Sequence, residues 1–292
     1  MKNTLNLVDC HQHLIYPDQY PYSWTDDIPQ LAGKAFTCEN YEELVRDLGD
    51  VRTIFMETAP DHPHGQAESR FVQTLADQPD SKIDGLILNC SPEGDEDFET
   101  TLESLHHDKL VGFRRVLHVV DDAISEQPLF IQNIRKLAQH NLTFDMCFFA
   151  RQLPLACKLA DHCQEVQFIL DHCGCPNVAE QELDPWRATM SELAKRPNVA
   201  CKISGVLAYA NPDNATSEAV RPFVEHSIEA FGWDRVVWGS DWPVVCMTSG
   251  LPQWIDITLE LMAGEEESNR MKLFHQNAKR IYSLEKSSGL AD

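Results

Sequence analysis

The chain is poor in basic side chains, with 24 lysines and arginines against 46 aspartates and glutamates and a formal net charge of −22 over 292 residues. This charge repels the phosphate backbone of nucleic acids and anionic membrane surfaces over most of the molecule. No apolar run approaches the length of about eighteen residues that a membrane span needs, and no cleavable apolar leader is evident. We therefore expect no nucleic-acid or membrane partner, and a soluble, cytoplasmic protein.

No linker-like stretch rich in proline, glycine and serine divides the sequence. We therefore expect a single domain over residues 1–292. The ten cysteines lie scattered through apolar segments without the spacing of a disulfide framework, which predicts small buried side chains. Cys173 and Cys175 beside His172 could form a thiolate metal site. The absence of a second cysteine pair at zinc-site spacing favours a structural role for them.

Short apolar segments alternate along the chain with longer amphipathic stretches whose apolar residues recur every three or four positions. The segments predicted as strands are 5–11, 51–57, 83–89, 110–117, 142–148, 166–172, 198–204 and 234–241. Strands that each precede a helical stretch predict an α/β fold, a (β/α)8 TIM-like barrel of eight parallel strands. An open doubly wound sheet would usually begin with a glycine-rich turn, which is missing here. The sequence ESNRMKLFHQNAKRIYSL predicts a C-terminal helical extension packed on the outside.

Polar side chains gather where the predicted strands end, which is the end at which such a barrel carries its active site. These residues are His11 and His13, Glu57, Asp171 and His172, Lys202 and Ser204, and Asp241. Because side chains alternate along a strand, Asp9, His11 and His13 should share one face. The two histidines should therefore point into the barrel together.

Six motifs in chain order resemble the amidohydrolase superfamily, and most of all its amidohydrolase-related branch with sugar lactonases such as L-fuconolactonase and L-rhamnonolactonase. They are His11-Gln12-His13, GFRRVL with Arg114, FDMCFFARQLP, FILDHCGCP with His172, NVACKISG with Lys202, and VVWGSDWPV with Asp241. The resemblance covers nearly the whole chain. It implies a carboxylic ester hydrolase that opens a small cyclic ester by metal-assisted or acid–base chemistry.

The sequence matches only part of the set of metal ligands that members of this superfamily use. Members that hold a metal firmly usually add a lysine or glutamate from strand four and a histidine from strand five, where this sequence has Arg114 and Asp145. An arginine cannot ligate a cation. His11, His13 and Asp241 remain, with His172 close by, for one divalent metal with zinc as first candidate, or for a site that works without metal.

Opening a lactone requires an attacking water, a polarised carbonyl and a proton for the departing alkoxide. We predict that Asp241 takes the proton from water and passes it to the leaving oxygen. Zinc would lower the pKa of water toward about 7 and polarise the carbonyl, whereas without zinc a histidine such as His172 and Arg114 would stabilise the oxyanion. His172 could instead orient its neighbours, and Arg114 could pair with a barrel carboxylate such as Asp145.

Substrate contacts are predicted for Arg151, Lys202, Trp242, Trp24, Glu57 and His118. The guanidinium of Arg151 could bind a carboxylate or adjacent hydroxyls, and the two tryptophans offer apolar faces to a sugar ring. Arg151 and Lys202 could equally be members of structural ion pairs. A carboxylate at Glu57 would accept from a hydroxyl and disfavour a strongly anionic ligand, which favours a neutral sugar lactone over a related organic acid.

Two other functions stay open from the sequence. One is a metal-dependent decarboxylase or another ring hydrolase of the same superfamily, and the missing strand-five histidine argues against the decarboxylase. The other is a catalytically silent sugar-binding barrel, against which the intact His11, His13 and Asp241 argue. A shared barrel fold alone would not decide among these functions, and the oligomeric state stays open.

Overall fold

The computed structural model describes residues 5–284, which form a barrel of eight parallel strands. The strands are β1 (Leu5–Gln12), β2 (Gly49–Met56), β3 (Ile83–Asn89), β4 (Leu110–Val116), β5 (Thr143–Cys147), β6 (Phe168–Leu170), β7 (Val199–Ile203) and β8 (Val236–Trp238). Each strand pairs with its neighbours in sequence. The barrel closes where Gln12 bridges Trp242 and the backbone N–H of Asp241 donates to the carbonyl of His11 at 2.9 Å. The predicted (β/α)8 fold is confirmed.

A helix follows every strand, and two further helices belong to the C-terminal extension. The helices are α1 (Cys38–Val45), α2 (Gly65–Ala76), α3 (Phe98–Ser104), α4 (Pro128–Lys136), α5 (Leu153–His162), α6 (Trp186–Leu193), α7 (Ser217–Phe231), α8 (Leu251–Leu261), α9 (Glu267–Met271) and α10 (Asn277–Ile281). Local sequence fixes their starts: Thr37 and Asn40 form a capping box ahead of α1, and the Thr216 side chain caps α7. None of these helices is both long and apolar enough to span a membrane.

The barrel interior holds a separate apolar cluster near the N-terminal ends of the strands. Its members include Val8, Cys10, Ile54, Met56, Ile87, Val111, Ile169, Ala200 and Val237. The C-terminal extension does not pack on the outside as predicted, because Ala278, Ile281, Tyr282 and Leu284 join this cluster. The Asn277 side chain anchors α10 by donating to the carbonyls of Trp233 and Val236 at the start of β8. The extension thus covers an apolar floor that would otherwise face water.

The first strand contains a bulge that the sequence pattern did not indicate. Three steps along β1, from Asp9 to Gln12, pair with two steps along β2, from Thr53 to Phe55. The extra residue breaks the alternation of side chains. The prediction that Asp9 shares a face with His11 and His13 was therefore wrong: the Asp9 carboxylate accepts from the Tyr41 hydroxyl of α1 at 2.7 Å, on the helix side.

The cysteines follow the sequence prediction. All ten lie in the part of the chain that the structure describes, all are free, and all but Cys38 and Cys246 are buried. Cys173 and Cys175 are buried too, and neither belongs to a group of possible metal ligands among residues 5–284. The structural role favoured for this pair agrees with that placement.

Candidate active site

A cavity of about 440 Å³ opens at the C-terminal ends of the strands. Its wall includes His13, Arg114, His172 and Asp241, from the ends of β1, β4, β6 and β8. Four residues predicted for the site from separate parts of the sequence are thereby brought to one surface. This is the end of the barrel at which (β/α)8 enzymes carry their chemistry.

Three ligand atoms form a compact triangle at the base of this cavity. Nε2 of His11 lies 3.1 Å from Nε2 of His13, and Oδ1 of Asp241 lies 3.6 and 3.5 Å from these two nitrogens. Tetrahedral zinc with bonds near 2.05 Å separates its nitrogen and oxygen ligands by about 3.3 Å. The triangle of His11, His13 and Asp241 therefore has the size of one face of a tetrahedral metal site.

The far nitrogen of each histidine has an oxygen acceptor. Nδ1 of His13 lies 3.1 Å from the carbonyl oxygen of Met56, and Nδ1 of His11 lies 3.4 Å from Oδ1 of Asp171. The carbonyl at Nδ1 of His13 holds the proton on that nitrogen and leaves its Nε2 lone pair free, as histidine ligands of metals require. Nδ1 of His11 also lies 3.3 Å from the Lys202 ammonium, a donor that opposes a proton there. Burial lowers the pKa of His11 well below its usual range, which also favours the neutral ring.

Two glycines make room for the rings. A Cβ at Gly239, on the segment after β8, would lie 2.8 Å from Cβ of His11. A Cβ at Gly205, after β7, would lie 2.5 Å from Nδ1 of His172. Asp241 itself has a φ of 58°, a left-handed conformation that is uncommon outside glycine and marks a fixed, functional turn in many sites.

His172 differs from the other two histidines in its electrostatics. Burial lowers its pKa, but the carboxylates of Asp241 and Asp171 and the side chain of Cys147 together outweigh burial, and the pKa rises to about 9. Nδ1 of His172 lies 3.0 Å from the Ser204 hydroxyl and 3.7 Å from Oδ2 of Asp241. His11, His172 and Asp241 form a second group whose ligand atoms lie within 4.8 Å of one another. A protonated ring suits a proton donor better than a metal ligand.

Arg114 is held rigidly beside this group. Its Nε donates to Oε1 of Glu57 at 2.6 Å and one terminal nitrogen donates to the Glu57 carbonyl at 2.7 Å. Its other terminal nitrogen lies 3.3 Å from Nε2 of His11. The carboxylate partner is thus Glu57 and not Asp145, because Lys202 occupies Asp145. Arg114 both pairs with a carboxylate and lines the cavity.

Lys202 lies inside the barrel below the cavity rather than on its wall. Its ammonium pairs with Asp145 and, at 2.9 Å, with Asp171, and all three side chains are fully buried. Glu57, Asp145, Asp171 and Asp241 are the four carboxylates within ion-pair distance of the side chains of His11, Arg114 or Lys202 in residues 5–284. Counted as ionised against Arg114, Lys202 and the protonated His172 beside Asp241, they leave one negative charge, which a bound cation or an added proton would balance.

The predicted substrate contacts divide into two groups. Trp24 and His118 line the cavity, with the Trp24 indole donating to the carbonyl of Thr58 at 2.9 Å. Glu57, Lys202, Trp242 and Arg151 are not part of its wall. The carboxylate of Glu57 is paired with Arg114, and the ammonium of Lys202 is paired with Asp145 and Asp171. Trp242 is buried against Phe36 and Tyr41, because the chain turns away after Asp241.

Arg151 lies outside the cavity altogether. Its side chain is 60% exposed and pairs with Asp122, which belongs to the loop after β4. The segment after β5 turns at once into the short helix Ala150–Gln152, and this turn carries the guanidinium away from the strand axis. The geometry therefore matches the alternative of a structural ion pair.

Several cavity residues were not identified from the sequence. Cys147, Tyr209, Val244 and Met247 line the wall. Strand phase gave a signal for Cys147 alone, because it lies two residues after Asp145 at the end of β5 and so faces the same way. Its Sγ lies 3.1 Å from Nδ1 of His118. The other three belong to irregular segments, for which alternation predicts no direction.

The chain is similar to known proteins over almost its whole length. A model of the family described as Amidohydrolase matches residues 8–284. An uncharacterised protein, y4mH, of Sinorhizobium fredii is 29% identical over 95% of this chain and 98% of its own. An L-fucono-1,5-lactonase of Burkholderia ambifaria is 26% identical over 97% of each chain. The crystal structure of an amidohydrolase from Burkholderia multivorans with bound zinc has a TM-score of 0.84 at 23% identity, covering 96% of this chain and 99% of the other.

Proposed function

Because the chain belongs to the amidohydrolase family, we propose that it is a hydrolase that opens a small cyclic ester, namely the lactone of a neutral sugar acid. The observation that carries this proposal is the position of Asp241 between the two imidazole Nε2 atoms and the cavity. Oδ1 faces His11 and His13, while Oδ2 accepts no hydrogen bond from any residue in 5–284. A buried carboxylate oxygen without a donor suits a group that receives a proton during turnover.

In this proposal Asp241 removes a proton from the attacking water and later delivers it to the ring oxygen as the ester bond breaks. His172, held by Ser204 next to Oδ2 of Asp241, donates a hydrogen bond to the oxygen that gains negative charge. Arg114 keeps its guanidinium fixed through Glu57 and adds a positive field at the same place. Preorganised donors of this kind do not have to reorient when charge develops.

The residues fit one divalent metal ion, with His11, His13 and Asp241 as its holders. The support is the triangle of ligand atoms, the Met56 carbonyl acceptor at Nδ1 of His13 and the unbalanced negative charge around the triangle. When bound, such an ion supplies a Lewis acid that polarises the carbonyl and lowers the pKa of water. The relative from B. multivorans carries zinc, which makes zinc the first ion to test here.

The side chains of the cavity wall favour a substrate without a carboxylate, such as the lactone of a neutral sugar acid. Both arginines on the wall are already paired, Arg114 with Glu57 and Arg115 with Glu93 at 2.7 Å. A carboxylate on the substrate would have to compete with these partners. Trp24, Val119, Val244 and Met247 give the wall an apolar side, against which the carbon face of a sugar can pack.

A proton-release assay against neutral aldono-1,4- and 1,5-lactones tests the proposal. The protein is assayed as isolated, after chelation and after zinc is restored, beside a matched lactone that bears a carboxylate. We expect release from at least one neutral lactone, loss of that release on chelation, and little release from the charged lactone. Absence of release from every lactone would refute the ester hydrolase. Proton release that chelation does not change would refute the role of the metal ion but not the hydrolysis of the lactone.

A further inference from the structure

The cavity is larger than the lactone of a simple sugar acid requires. Its volume of about 440 Å³ lies in the range of about 300–1,000 Å³ in which proteins hold drug-sized ligands. The proposed reactive groups, such as His13, His172 and Asp241, lie at its base, at the ends of the strands. A ligand confined to these groups would leave the part of the cavity above them to water. The side chains of that part therefore indicate what else the ligand carries.

The loops that follow the strands give this upper part an apolar wall. Trp24 and Ile28 come from the loop after β1, Val119 from the loop after β4, and Val244 and Met247 from the segment after β8. Val119 is 68% exposed, although an apolar side chain gains free energy when it is removed from water. A ligand that reaches the mouth of the cavity would cover it.

A second exposed apolar side chain lies beside the same mouth. The ring of His118, which lines the cavity, lies against the ring of Phe149 with centroids 4.5 Å apart, and Phe149 is 38% exposed. Val119 and Phe149 are two of the five large apolar side chains that are exposed in residues 5–284. Single exposed apolar side chains are common, whereas neighbouring ones at the rim of a cavity are typical of a surface that a ligand covers.

Polar side chains of the wall outside the reactive groups already have hydrogen-bond partners in the protein. The pairs are the Trp24 indole with the Thr58 carbonyl at 2.9 Å, the Asn89 amide with the Glu57 carboxylate at 3.2 Å, and the Asp61 carboxylate with the Ser23 hydroxyl at 2.7 Å. The two arginines of the wall hold the carboxylates described above. A hydroxyl group placed here would have to compete with these partners, whereas an apolar group displaces only water.

We propose that Trp24, Ile28, Val119, Val244 and Met247 form an apolar subsite, and that the substrate is a neutral lactone whose ring carries an apolar substituent of several carbon atoms. The lactone group lies at the reactive groups, and the substituent covers the apolar subsite. The lactone part of this inference rests on the proposed function. The apolar subsite itself is a property of the wall, which a ligand that cannot be hydrolysed also fills.

The test uses an aldono-1,4-lactone whose primary hydroxyl carries a methyl, a butyl or a hexyl ether, because an ether adds length without adding a charge or a second ester. Proton release gives kcat/KM for each compound. Burial of one methylene group strengthens binding by up to about fourfold, so we expect kcat/KM to rise about tenfold or more from the methyl to the butyl ether. Equal values of kcat/KM for the methyl, butyl and hexyl ethers overturn the proposal.

Two variants place polar atoms in the apolar subsite, Val119→Ser and Met247→Gln. Their matched controls are Leu259→Ser on α8 and Met271→Gln on α9, which alter exposed apolar side chains outside the cavity wall. We expect the butyl-to-methyl ratio of kcat/KM to fall about threefold or more in each subsite variant and to keep its wild-type value in the controls. Unchanged ratios in both subsite variants would overturn the assignment of the subsite to these residues.

Calorimetric titration with the matching lactams, which carry the same ethers, separates this inference from the proposed function. If no ether is hydrolysed but the butyl lactam binds about tenfold more tightly than the methyl lactam, with a more negative heat-capacity change, the apolar subsite stands and the ester hydrolase fails. If the ethers are hydrolysed equally well, the hydrolase stands and the apolar subsite fails. Absence of hydrolysis, together with lactams that bind equally or not at all, overturns both.

Discussion

At the scale of single residues, Asp241 is the side chain on which the proposed chemistry depends most. Asn at this position keeps the shape and one acceptor oxygen but cannot take a proton. We expect Asp241→Asn to lower kcat by about 10²- to 10⁴-fold, the usual contribution of a positioned acid or base, with KM changed only a few-fold. Steady-state proton release on the best lactone measures both constants.

Asp122→Asn is a suitable comparison, because it removes a carboxylate that pairs with Arg151 outside the cavity. Near wild-type kcat in Asp241→Asn would contradict the proton-carrying role. A loss in Asp122→Asn as large as that in Asp241→Asn would show that the assay responds to general damage.

Gly239 tests the packing of the proposed metal-site residues without altering any of them. A methyl group here would meet Cβ of His11 at 2.8 Å and Cβ of Ser204 at 3.2 Å. We expect Gly239→Ala to displace His11, to weaken zinc binding about tenfold or more, and to cost about 1–3 kcal/mol of unfolding free energy through overpacking. Zinc per chain by elemental analysis and urea unfolding measure the two effects.

Gly94→Ala is the matched control, since a Cβ there meets nothing within 4 Å. It should retain zinc and stability. Full zinc content and stability in Gly239→Ala would contradict the close approach of Gly239 to His11.

At the scale of elements, the alternation of short apolar segments with amphipathic stretches predicted the eight strands. The positions of His11, His13, Arg114, His172 and Asp241 at strand ends predicted that they lie at one end of the barrel. Directions beyond the strand ends could not be predicted in this way. Arg151 and Trp242 follow strands closely in sequence, yet a short helix and a turn carry them out of the cavity. Polar residues inside a barrel also need partners, and the pairing of Lys202 with Asp145 and Asp171 depends on three strands at once.

Helix α2 carries a buried carboxyl group that links stability to pH. Glu68 accepts from the Tyr22 hydroxyl at 3.2 Å and from the Thr58 N–H at 3.2 Å. Burial, with a smaller effect of Glu57, raises its pKa from 4.5 to about 8. The folded form therefore keeps a proton that the unfolded chain releases above about pH 4.5. The stability that this group contributes is present below pH 4.5 and is lost as the pH rises toward 8.

Glu68→Gln should remove this dependence, because the amide can accept from Thr58 and donate to the tyrosine hydroxyl without ionising. We expect the melting temperature of the variant minus that of the wild type to increase from pH 4.5 to 8 and to level off above. Differential scanning calorimetry at several pH values measures it. Glu43→Gln, at an exposed position of α1, should give a flat difference. A flat difference for Glu68→Gln as well would contradict a raised pKa.

At the scale of the whole molecule, sequence patterns predicted the number and order of elements but misplaced the C-terminal extension. By sequence pattern alone, its apolar residues could pack either against the outer helices or against the barrel floor. The extension packs against the floor because Val8, Ile54, Val111 and their neighbours form an apolar surface that would otherwise be exposed to water. Such a choice depends on which surface the rest of the fold leaves exposed. The extension thereby also brings the Tyr282 hydroxyl to the Asp145 carboxylate.

The net charge of −22 has a consequence for the stability of the molecule as a whole. Like charges on a compact surface repel one another more than in an unfolded chain, and salt screens this repulsion. At pH 8 we expect the melting temperature to rise by a few degrees between about 10 mM and 500 mM NaCl, a range over which the screening length falls from about 30 Å to only a few ångströms. The control is the same titration at pH 5, close to the pI of about 4.8, where the net charge is small and the rise should nearly vanish. An equal rise at both pH values would point to general salt exclusion from the surface instead of charge repulsion.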